Sequence, residues 1–140
     1  MTELVRLAGV GQLLLALVSA LVVPRALAWR DELAKVSPLT RAIFWTYGVY
    51  ISSINATFGL ISTLAPQWLV DRAPLAAAVC AFIAAYWGAR VVIQFVAYDR
   101  AGRPPGRRYV LAEAASVALF LALAVIYGVA ALHDVGGLSG

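Results

Sequence analysis

Cysteine, histidine, lysine and acid are all scarce in this chain. Its 140 residues include one cysteine, one histidine, one lysine and seven carboxylates. A lone Cys80 excludes an intrachain disulfide and leaves no partner for thiol redox chemistry. A lone His133 excludes a bis-imidazole haem site, and no His/Cys/Glu cluster has the spacing of a zinc or di-iron site. No metal or cofactor is therefore expected. Nor is there a glycine-rich phosphate loop, a nucleophile elbow or a pair of neighbouring carboxylates inside an apolar segment. No catalytic residues are assigned, and the balance leans away from an enzyme. Charge is scarce as well, at 13% of residues against about a quarter in soluble domains. An ordinary soluble fold is excluded on that ground.

What the chain has in quantity is apolar sequence, 63% of residues with a mean hydropathy of +0.86. It is gathered into four runs, 7–29, 42–64, 75–97 and 110–132. Each is close to the ~20 residues a helix needs to cross a ~30 Å hydrocarbon layer. The runs are continuous and show no alternation of period two, which argues for helices over barrel strands. Their separators contain Ser37-Pro38, the stretch from Pro66 to Pro74, and AGRPPGRRY at 101–109, all helix breakers. The expectation is an all-α integral membrane protein, one domain, with four transmembrane helices in an antiparallel bundle joined by short loops. Ala26-Leu27-Ala28 resembles a signal-peptide cleavage site, but the apolar stretch before it is longer than a signal core. A retained helix is expected, with Pro24 loosening its last turn.

The basic residues set an orientation. The first loop holds Arg30, Lys35 and Arg41, and the third holds Arg100, Arg103, Arg107 and Arg108. Arg6 precedes the first span and Arg72 lies in the second loop. The positive-inside rule then puts loops one and three in the cytoplasm and both termini in the periplasm. Trp29, Trp45, Tyr98 and Tyr109 are expected to form the inner aromatic belt, with Trp68 on the outer side. Arginine in ten of eleven basic positions, together with abundant alanine, is the composition of a GC-rich bacterial genome, so the expected location is a bacterial inner membrane. In this setting a formal charge of +4 signifies contact with anionic lipid, not nucleic acid. Arg100, Arg103, Arg107 and Arg108 are the expected lipid contacts, at about 1 kcal/mol per basic residue.

The polar residues within the spans are the candidates for function. Tyr86, Arg90 and Gln94 recur every four residues and share one helix face. Arg90 lies about 11 Å and Glu113 about 5 Å inside the cytoplasmic boundary at 1.5 Å per residue. An extended arginine spans that offset, so an Arg90–Glu113 ion pair between helices three and four is feasible. Tyr47, Tyr50 and Asn55 add polar groups from helix two. This set has two readings: a structural clip between helices, or a cytoplasm-facing pocket that binds an anionic headgroup. Small residues at Gly48, Ser52 and Gly59, and at Ala112 and Ser116, suit close helix packing or an oligomer seam.

Two functions follow. The first is a non-catalytic accessory or structural subunit, packed by its helix faces against other membrane subunits or copies of itself. The second is a binder or carrier of a lipid or quinone-like amphiphile with an anionic head. A proton-coupled exporter of the small four-helix type is disfavoured, because the first span carries no acid.

Overall fold

The computed structural model describes residues 1–102 and 104–138, and these are all-helical, without a strand. Six α-helices follow in order: α1 Thr2–Leu21, α2 Val23–Ala26, α3 Trp29–Leu33, α4 Pro38–Leu64, α5 Pro74–Val96 and α6 Arg107–Leu138. Short 3₁₀ turns lie at Pro66–Leu69 and Arg100–Gly102. Prolines start helices here instead of breaking them. Pro38, Pro66 and Pro74 each occupy the first turn of a helix, where the missing N–H has no partner to lose. Ser37 caps α4 by accepting the Thr40 N–H at 3.2 Å.

Pro24 does break the first span. The helix stops at Leu21 and resumes as α2 with Pro24 in its first turn. Ala28 then takes a left-handed φ of 50° and turns the chain into α3. The expected run 7–29 is thus α1 extended through α2, with its last residue in a separate short helix. α4 starts four residues before its apolar run and α6 overruns its run at both ends, whereas α5 is offset from its run by a single residue. Backbone hydrogen bonds continue into polar sequence, whereas hydropathy alone marks the lipid-compatible part.

Three segments are long and apolar enough to cross a membrane: Thr2–Ala26, Pro74–Val96 and Arg107–Gly137. They mark a membrane protein. α4 is long enough at 27 residues but is less apolar, with ten Ser, Thr, Tyr and Asn residues among them.

The long helices pack as two antiparallel pairs. In the α1/α4 pair, a Cβ on Gly9 would come within 2.7 Å of the Thr63 backbone nitrogen, and one on Gly59 within 2.8 Å of Leu13. Only glycine allows so close a crossing. In the α5/α6 pair, Trp87 stacks on Phe120 with ring centroids 5.4 Å apart. Val5 and Ala8 of α1 join the core that α5 and α6 build.

Loops one and three share one end, where Ala28, Trp29, Phe44, Gly102 and Pro104 line an open groove of about 610 Å³. At the other end the loop between α4 and α5 meets the tail of α6: the Arg72 N–H donates to Asp134 Oδ1 at 3.1 Å. The Arg72 side chain fills the space that a Cβ on Gly137 would need. The two ends differ sharply in packing. Every fully buried residue belongs to the half containing Asp134 and Arg72, whereas the described residues of 17–54 and 88–119 include none.

Candidate functional site

Arg90 projects from α5 half-buried. Its Nη1 donates to Gln94 Oε1 at 3.5 Å, and Gln94 Nε2 donates to Glu113 Oε1 on α6 at 3.4 Å. The amide therefore bridges Arg90 and Glu113, accepting from one and donating to the other through two long hydrogen bonds. The guanidinium also lies 5.0 Å from the Tyr98 ring centroid and 5.1 Å from that of Phe120, both within cation–π range. Two ring faces and an amide thus replace much of the hydration that Arg90 gives up.

The remaining candidates separate. Tyr86 faces the Asn55 side chain across the gap between α5 and α4, and its ring meets Phe58 edge-on. Asn55 is buried, and its Oδ1 has no hydrogen-bond partner among the described residues. Tyr47 and Tyr50 point away from this group and are exposed on α4. Arg107 and Arg108 begin α6 at the end shared by loops one and three, with Arg108 over the Tyr109 ring. Arg100 opens the 3₁₀ turn at that end, and Arg103 lies outside the described residues. Of the small residues, Gly59 is in tight contact, whereas Gly48 has open space around it. Ala112 is exposed and Ser116 half-buried. Arg25 turns back to donate to the Leu21 carbonyl, and Arg41 donates to the carbonyls of Leu33 and Ala34. Both cap the ends of helical turns.

A second polar cluster was not anticipated from the sequence. Gln12 of α1, Ser62 of α4 and Tyr127 of α6 are each fully enclosed. Gln12 Nε2 donates to the Tyr127 hydroxyl, which also pairs with Ser62 Oγ. Trp87 Nε1 of α5 donates to Gln12 Oε1 at 3.3 Å. One connected network thus ties all four long helices without a charged group. Gln12 was the available clue, as an amide inside the first apolar run. Asp134 was also missed: it is fully enclosed, with Oδ1 3.5 Å from His133 Nδ1 and Oδ2 without a hydrogen-bond partner among the described residues.

Cys80 is buried and donates to the Leu69 carbonyl at 3.2 Å, and no imidazole is seen to activate it. Among the described residues no group of three or more His, Cys, Asp or Glu side chains is arranged to hold a metal ion. Comparison of the chain with protein-family models, curated proteins and solved structures finds no match.

Proposed function

We propose that this protein is a non-catalytic membrane subunit that works by packing its helix faces against protein. In this reading α4 is the fourth span, and α1, α4, α5 and α6 form an antiparallel bundle in a bacterial inner membrane. Loops one and three face the cytoplasm and the termini the periplasm. In sequence, eight of the eleven basic residues fall within 25–41 or 100–108, in or beside loops one and three, which supports that orientation. The cytoplasmic arginines, Arg107 and Arg108 among them, then meet anionic headgroups.

One observation carries the reading: the core fills one half of the molecule and leaves the helix faces of the basic half uncovered. Lipid suits the aliphatic faces of α1, α5 and α6, whereas α4 presents tyrosines and hydroxyls there. Purification in mild detergent after crosslinking in native membranes tests it. The expected product is a defined assembly larger than one chain. A lone monomer, uncrosslinked in the membrane and monodisperse in detergent, overturns it.

A second reading rests on Asn55. Its unsatisfied Oδ1 beside Tyr86 is an acceptor for a hydroxyl or amine on an amphiphile whose anionic head pairs with Arg90. In that case Arg90→Ala and Asn55→Leu each abolish lipid or quinone co-purification while leaving a folded protein. Unchanged co-purification in both variants eliminates this reading.

A further inference from the structure

One strip of the outward face of α4 differs in chemistry from the exposed faces of α1 and α6. α1 exposes Leu7, Leu14 and Leu17; α6 exposes Leu121, Val125 and Val129. On α4, between the exposed apolar residues Val49 and Ile54, runs a strip of exposed Thr46, Tyr50, Ser53 and Thr57. At about 100° per residue these four fall within an arc of roughly 60°. The arc lies opposite Asn55, Gly59 and Ser62, the face buried against α1. Spacings of four, three and four residues are those of a seam between two helices.

The donors and acceptors along this seam are unevenly distributed. Thr46 donates to the Ala42 carbonyl, Ser53 to Val49 and Thr57 to Ser53, all at 2.8–2.9 Å. Their protons are committed within α4, while their oxygen lone pairs remain available. Tyr50 is the reverse case. Its hydroxyl proton has no partner among the described residues, and the residue is 65% exposed near the middle of α4. In hydrocarbon an unpaired hydroxyl is costly, and lipid tails offer no acceptor.

We infer that the occupant of this face is a second copy of the same chain, paired through α4 about a two-fold axis along the membrane normal. This inference rests on the subunit reading above and names its partner. Two copies inserted alike present parallel α4 helices, so each seam residue meets its own counterpart and the neighbours one turn away. The Tyr50 hydroxyl of one copy then donates to a Thr46 or Ser53 oxygen of the other, and the reciprocal bond forms by symmetry. A charged seam would repel its own copy. This one carries no charge: Arg41 falls on the opposite side of α4 and donates to the carbonyls of Leu33 and Ala34. Ser53 and Thr57 are small enough to let the backbones approach.

The test uses single cysteines in native membranes. Cys80 is fully buried, so it is changed to serine in one series and kept in a second, in case the serine variant does not fold. Thr46→Cys, Ser53→Cys and Thr57→Cys are oxidised with copper phenanthroline and compared with Ile51→Cys on the flank of α4 and Val125→Cys on α6. The expected result is a disulfide-linked dimer several-fold more abundant at the three seam positions than at either control. Adding Tyr50→Phe to Thr57→Cys should cut that yield several-fold without changing the amount inserted. Equal yields at Val125→Cys and the seam would signify random collision and overturn the proposal. Crosslinks from the seam to a different protein overturn it too, while leaving the subunit reading intact. No crosslink together with a lone monomer in detergent removes both.

Discussion

The half of the molecule that contains Tyr127 and the half that contains Arg90 solve the same problem in different ways. Both place polar groups between long helices. Around Tyr127 the groups are neutral and fully enclosed, and they draw on four helices at once. Around Arg90 they are partly charged and half-buried, and two long hydrogen bonds link one pair of helices. The difference teaches that charge inside a span is a poor guide to where the structure is held. A charge can reach toward water or ring faces, and so it tolerates loose surroundings. A buried amide or hydroxyl has no such escape and holds its partners in place.

The sharpest test of this contrast is Trp87→Ala. It removes a fully enclosed ring, its stacking on Phe120 and its bond to Gln12. A loss of about 3–5 kcal/mol is expected, measured by unfolding in mixed detergent micelles followed by far-ultraviolet circular dichroism. Gly9→Ala comes next, because the new methyl group must displace the Thr63 backbone; about 1–3 kcal/mol should be lost in the same assay. Tyr127→Phe keeps the packing but deletes the shared hydroxyl, which should cost about 1–2 kcal/mol.

The Arg90 half should be softer. Arg90→Ala is expected to cost about 1 kcal/mol or less, and Arg90→Ala/Glu113→Ala to recover part of that loss because Gln94 couples the two groups. A larger loss for Arg90→Ala than for Tyr127→Phe would invert the comparison. At the bottom of the scale, Gly48→Ala meets open space and should shift the unfolding midpoint by no more than about 0.5 kcal/mol. A loss as large as that of Gly9→Ala would mean that the open half is closed in the membrane, by a neighbouring copy or another chain.

Much of this was legible beforehand, for local reasons. The apolar segments and the weak point near Pro24 depend on residues close in sequence, and hydropathy and the missing N–H reveal them directly; the prolines of the separators, expected as breakers, instead open helices. The Tyr86, Arg90 and Gln94 face was legible because period four is a property of a single helix. The Gln12–Tyr127 bond was not, because it links residues 115 apart in sequence on helices whose relative rotation no local pattern defines. In α4 the expected apolar run is interspersed with hydroxyls, which keep it below the apolarity of the other three long helices.

Helical structure suited to a membrane, with most basic residues gathered in or beside two loops, follows from the order of residues alone. Those properties follow from transfer free energies and backbone hydrogen bonding, which act residue by residue. Tertiary structure alone decided which polar groups meet. It placed a neutral network at the crossing of four helices, left Arg90 to an amide and two rings, and turned the hydroxyl face of α4 outward. Each of these outcomes depends on helix rotation, and at 100° per residue one position more or less turns a side chain from the core to the surface.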